Sequence, residues 1–189
     1  MPNARPPKRS DLKRQLHRLI VAQSDINAAR NAWQLLKSNP TQPGHSVHTS
    51  LMAAMVISYA RPFVSSESFG ILPRKWSTYP DSRYQKNHDA LLKARNEIVA
   101  HSEQSVRKVM IVPPGVRMKL HPASSPVSEW ISYIVSTYSL PPNVLETLGG
   151  MLDDVLKRMF DEIELLLNKL YADRNLPNQE FLLQMDEEL

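Results

Sequence analysis

Between Ser10 and about Lys37, Leu12, Leu16, Leu19, Ile26, Trp33 and Leu36 recur at helical spacing. The stripe predicts an amphipathic helix that Ser10 can cap. Asn39-Pro40 ends it, and the segment to Gly44 reads as a loop. A second helix is expected from about Ser46 to Ala60, stopped by Arg61-Pro62. Its LMAAMVISYA stretch is apolar nearly all round, which predicts a central, buried position. Residues 64–83 are polar and carry Gly70, Pro73 and Pro80, so a long loop is expected there.

A third helix follows from about Tyr84 to Gln104. Val106–Val112 and Val116–Leu120 flank Pro113-Pro114-Gly115 as two strands around a turn, and Trp130–Tyr138 is a third β-rich run. The last helix begins near Pro142. Leu145, Leu148, Leu152, Val155, Met159, Ile163, Leu166 and Leu170 hold one stripe along it. Gly149-Gly150 interrupts that stripe, at about 1 kcal/mol per residue against alanine. Such a cost predicts a kink or a close helix approach. The fold expected is mainly α: about four long helices in a bundle, with a small β-hairpin or three-stranded insert before the last one. Residues 1–9 would be a disordered basic arm, 10–172 a single domain with its β insert at about 106–138, and 173–189 an acidic tail.

Composition removes several chemistries. The 189 residues include no cysteine, so disulfides and thiolate sites are excluded. Five glycines at unhelpful spacings make neither a P-loop nor a dinucleotide fingerprint. No apolar run approaches the ~20 residues of a membrane span, and the basic N-terminus lacks the apolar core of a signal peptide. A soluble, cytoplasmic protein without a membrane partner is expected. Charge is sharply divided. Residues 1–120 carry 19 Lys and Arg against 7 Asp and Glu, while residues 121–189 carry 4 against 12. The first excess makes a nucleic acid a candidate partner.

The third helix holds the sharpest candidates. With Arg95 at 0° and 100° per residue, Leu91 and Val99 lie at 40° on either side, and Ile98 and Leu92 at 60°. Arg95 then falls within the apolar stripe, in line with His88 and Ser102. A guanidinium there needs a partner or a wet cleft. A salt bridge to a core carboxylate, or snorkelling past a narrow stripe, would account for it structurally. Other candidates are weaker. His45 and His48 have i,i+3 spacing without a third ligand, which favours a capping or surface role over a metal. Asp154–Arg158 and Lys157–Asp161 are at ion-pair spacing on a solvated face. Trp33 belongs to the core by periodicity.

Arg95-Asn96-Glu97-Ile98-Val99-Ala100-His101 resembles the signature of the HEPN superfamily (higher eukaryotes and prokaryotes nucleotide-binding domain). In that signature a polar residue, often asparagine, follows the arginine, and a histidine follows after four to six positions. The resemblance implies a helical bundle, a homodimer and often a metal-independent endoribonuclease in toxin–antitoxin or antiphage systems. It makes Arg95, Asn96 and His101 the catalytic candidates; His88 and Ser102, singled out by their alignment with Arg95 on the helix, are the supporting candidates, and no metal or cofactor is expected. RNA, a second copy and an antitoxin or regulatory protein are the implied partners. Arg95 offers a fork that matches phosphate oxygens, His101 can move a proton near neutral pH, and Asn96 can orient ribose or imidazole. Arg95 and His101 lie about 120° and ~9 Å apart on one regular helix, so a two-fold pair of helices would be needed to bring an arginine beside a histidine. A catalytically inactive HEPN-like scaffold binding nucleotide, RNA or protein is the alternative. A helical interaction protein with a salt-bridged Arg95 is the third.

Overall fold

The computed structural model describes residues 8–38, 45–65, 70–99, 109–116, 129–135 and 140–183. It is a mainly helical bundle of α1 (Arg9–Ser38), α2 (Ser46–Ala60), α3 (Ser82–Val99) and α4 (Pro142–Tyr171). α1 lies beside α2 and α4, and α3 beside the same two. One apolar core runs between them. Leu16, Leu19 and Ile26 enter it from α1, and Met52, Met55 and Tyr59 from α2. Leu91, Ala94 and Ile98 come from α3, and Leu148, Leu152, Val155 and Met159 from α4. No helix among the described residues is long and apolar enough to cross a membrane.

Several expectations are adjusted by local physics. α1 begins at Arg9, because the Lys8 carbonyl already accepts from the Asp11 and Leu12 amides at 3.0 and 3.2 Å. Ser10 therefore sits inside the first turn rather than capping it. Arg9 joins the bundle and donates from Nη2 to the Leu170 carbonyl at 3.4 Å, near the carbonyl end of α4. α2 has the expected bounds but is not central. Its all-round apolar look comes from small residues such as Ala54, which face water, while Met52, Met55, Val56 and Tyr59 fill one side.

The expected loop at 64–83 is in part a packed segment. 3₁₀ turns at Arg61–Phe63 and Arg74–Trp76 bracket it, and Phe63, Leu72, Trp76 and Tyr79 are buried. The Leu72 amide bonds the Pro62 carbonyl at 2.9 Å. Sparse apolar residues carry this packing because three of the four are aromatic and large.

β1 (Val109–Val112) pairs antiparallel with β2 (Ser132–Val135), Val109 opposite Val135 and Val112 opposite Ser132. The partner seen is the third β-rich run; of the expected second strand, Val116–Leu120, Val116 closes the turn on the Pro113 carbonyl at 3.2 Å, and residues 117–120 lie outside the described residues. Ile111, Trp130, Ile131 and Tyr133 are largely exposed on this pair.

Gly149-Gly150 produces close approach within an unbroken α4. A Cβ on Gly149 would lie 2.3 Å from Trp33 Cη2, and one on Gly150 would lie 2.5 Å from the Tyr84 hydroxyl. The Trp33 indole lies across α4 at this point and donates from Nε1 to the Leu145 carbonyl at 2.8 Å. Past α4 the chain turns back: Phe181 meets Tyr171 edge-on and Leu183 packs against the core.

Candidate functional site

α3 presents Asn87, His88, Leu91, Ala94 and Ile98 to the core, all nearly fully buried. The centre of that face lies near Leu91 and Ala94, so Arg95 stands on its flank and is half-buried. This shifts the stripe expected from sequence, because Ala94 and Asn87 turn inward while Leu92 is only partly covered. Arg95 reaches the surface from the edge of the core instead of crossing its middle. It donates from Nη1 to Asn96 Oδ1 at 3.2 Å. Among the described residues no carboxylate forms an ion pair with it. His101 and Ser102 lie outside the described residues.

His88, the other support candidate, does not join Arg95. Its ring is buried between Tyr59, Phe63 and Tyr79. Nδ1 lies 2.8 Å from the Tyr59 hydroxyl, which is 3.1 Å from that of Tyr79. Although His88 aligns with Arg95 around the helix, it is two turns back, where the loop aromatics close over α3. Burial pushes its pKa down, against a smaller opposing pull from Asp89. Burial likewise raises the Tyr59 phenol well above its ordinary value, with Tyr79 adding to the effect. Desolvation disfavours each charged form, so this is a neutral structural network.

Arg95 opens on a pocket of about 490 Å³ between α1, the Arg61–Phe63 turn and α3. Arg18 and Arg61 line it too, and Asp25 is its carboxylate. Asp25 accepts from Arg61 Nη1 at 3.2 Å. Among the described residues, three guanidinium groups thus face one carboxylate. Arg18 Nε is buried and meets no acceptor among the described residues. Gly70, at φ +62°, lines the same pocket, and a Cβ there would lie 3.6 Å from Arg18 Nη2. The positive φ, rather than space, is what favours glycine at this position. A larger cavity of about 750 Å³ shares Arg18 and Leu72, carries Arg14 and His17, and has Leu183 on its wall.

Sequence reasoning missed Arg18 and Arg61. Arg18 is one of several basic residues on α1, Arg61 stands at a helix stop, and more than thirty residues separate Arg18, Arg61 and Arg95 in turn. Only the packing of α1 and α3 about α2 gathers them. The remaining candidates have structural roles. His45 caps α2, its Nδ1 accepting from the Val47 amide at 3.3 Å. Asp154 and Arg158 form the expected i,i+4 pair at 3.0 Å. No cluster of three or more metal-ligating side chains occurs among the described residues.

Comparison with family models, curated proteins and solved structures finds no match to this chain.

Proposed function

We propose that this chain is a metal-independent endoribonuclease of the HEPN type, acting as a homodimer in a cytoplasmic toxin–antitoxin or antiphage setting. The observation that carries the proposal is Arg95: half-buried, without a carboxylate partner among the described residues, and opening on a pocket with two further arginines. A guanidinium neutralised by a core carboxylate would have served stability; one aimed into a cationic pocket is suited to phosphate. Asn96, bonded to Arg95, is placed to hold the fork in orientation.

The chemistry follows from the residue types. A base removes the ribose 2′-hydroxyl proton, and O2′ attacks the adjacent phosphorus as the P–O5′ bond breaks. An acid then protonates O5′, leaving a 2′,3′-cyclic phosphate and a free 5′-hydroxyl. In this reaction His101 moves a proton and Arg95 stabilises charge on the phosphoryl oxygens. Two copies of α3 meeting at a two-fold axis would bring two such pairs to one cleft. An antitoxin or another regulatory protein would then act by covering that cleft.

The test is incubation of the purified protein with single-stranded RNA in EDTA, beside Arg95→Ala and His101→Ala variants. Cleavage with cyclic phosphate ends by the parent, lost in both variants and absent on all-DNA substrate, is expected. Full activity in His101→Ala, or equal cleavage of DNA, overturns the mechanism. RNA binding by the parent without cleavage makes the chain a binding scaffold instead.

A further inference from the structure

We infer that the pocket between α1, the Arg61–Phe63 turn and α3 is a phosphate subsite, where Arg18 and Arg61 join Arg95 in holding one backbone phosphate of an RNA strand. The choice of RNA rests on the function proposed above; the anion chemistry rests on the pocket itself. Arg18, Arg61 and Arg95 come from three separate elements, and among the described residues the one lining carboxylate, Asp25, pairs with Arg61 alone. Like charges gathered around one cavity repel unless an anion sits between them. Arg18 adds a second, independent sign of a missing acceptor, because its Nε is buried and unmet among the described residues. Buried donors are almost always satisfied, and an orphan at a pocket wall calls for an acceptor from outside.

Three forks converging from different elements suit a tetrahedral group with several ionised or polarised oxygens better than a planar carboxylate. The cationic lining also continues beyond this pocket. Arg18 is shared with the neighbouring cavity, which brings Arg14 and, among the described residues, has Asp11 as its carboxylate. Arg61 is 62% exposed, so the pocket opens sideways to solvent. A run of cations past one open subsite fits a strand with successive phosphates rather than a small nucleotide. Arg18 and Arg61 therefore bind the same phosphate as Arg95 and fix where the strand enters the site.

The experiment measures fluorescence anisotropy of labelled single-stranded RNA with the full chain, in EDTA and in a His101→Ala background that separates binding from cleavage. Arg18→Ala and Arg61→Ala should each weaken binding about tenfold or more. Because one phosphate is shared, each should flatten the log–log salt dependence by no more than about 0.7. Lys93→Ala, which removes an exposed charge from α3 outside the pocket, should change both only slightly. Thermal melts accompany every variant; if Arg18→Ala fails to fold, Arg18→Lys keeps the charge without the fork and should still lose affinity. Adenosine monophosphate is the competing probe. Displacement of RNA by it only at high excess is expected, whereas tight, arginine-dependent binding of it with RNA unaffected makes the occupant a free nucleotide and overturns the proposal. Arg18→Ala and Arg61→Ala that bind RNA like Lys93→Ala also overturn it. That result leaves the nuclease reading intact if the parent with His101 still cleaves, and pocket-dependent RNA binding by a parent that never cleaves does the reverse.

Discussion

Replacing Gly149 with alanine sets two local effects against each other. In the helix interior alanine is favoured by about 1 kcal/mol over glycine, so α4 taken alone gains. Against this, the new Cβ would meet Trp33 Cη2 at 2.3 Å, Cζ2 at 2.6 Å and Cζ3 at 2.9 Å. Carbon atoms rest at about 3.5–4.0 Å, so ring and helix must part by roughly 1 Å. The ring cannot slide freely, because Nε1 is tethered to the Leu145 carbonyl, one turn earlier on the same helix. Overpacking of this kind costs about 1–3 kcal/mol, and the strained hydrogen bond adds about 0.5–1.5 kcal/mol. After the propensity gain, a net loss of about 1–3 kcal/mol remains, or roughly 3–10 °C in Tm for a chain of this size. Circular dichroism melts at fixed protein concentration read it directly. Adding Trp33→Leu to Gly149→Ala should cost less than Trp33→Leu in the parent, with a coupling above about 0.5 kcal/mol. A Gly149→Ala protein as stable as the parent, or a cycle without coupling, would refute the assignment of this glycine to close packing.

Gly150→Ala should be nearly neutral, because its close contact is the hydroxyl end of Tyr84, which can swing aside, and the propensity gain remains; equal melting losses at both glycines would contradict this. His88 has a pKa depressed by burial, so the unfolded chain takes up its proton first as pH falls. Its contribution is complete above the unfolded value of about 6.5 and declines as pH drops below it. Urea midpoints at pH 8 and pH 5.5 should therefore differ less in His88→Gln than in the parent, and an unchanged difference counts against it. Asp153→Ala, which breaks a 2.7 Å pair with Arg30 between exposed side chains, should cost under about 1 kcal/mol in the same measurement.

Much of the bundle was legible because periodicity is a property of one segment at a time. The α4 stripe from Leu148 to Leu170 is buried as its spacing requires, and Pro142 opens the helix where a fixed φ suits the first position. Gly149-Gly150 announced a kink or a close approach, but neither which of the two nor that Trp33 would fill it, since that pairing joins segments more than a hundred residues apart. α3 shows how a small error arises. Counting Leu92 as core helped centre the stripe on Arg95, whereas the burial of Asn87, whose amide bonds the Thr147 hydroxyl at 2.9 Å, turns the helix the other way. A polar residue satisfied by a neighbouring helix is invisible to an apolar count. The segment after α2 was misjudged for a related reason: Trp76 and Tyr79 lie among prolines and charges, yet Tyr79 packs on His88 and Arg158 of α4 covers both rings.

The division of charge along the chain is changed by folding in a way that bears on the site. Read linearly, residues before 120 form a basic half and α4 begins an acidic one. In three dimensions α4 lies beside α1, and its carboxylates reach back: Asp153 to Arg30, and Glu162 to Lys75 in the turn before α3. Glu162 also accepts from Gln15 at 3.0 Å. These contacts neutralise part of the basic excess on the side of α1 that faces α4. Toward α2 and α3, Asp25 is the carboxylate of the pocket, already engaged by Arg61, while Arg18 and Arg95 face the same space. A surface salt bridge contributes little to stability, so the pairs along α4 matter more for where they leave charge than for what they add to folding. They take Arg30 and Lys75 out of the twelve-charge excess, among the described residues. A polyanion drawn by long-range attraction would be held where forks remain free, and the half-buried Arg95 lies at that place.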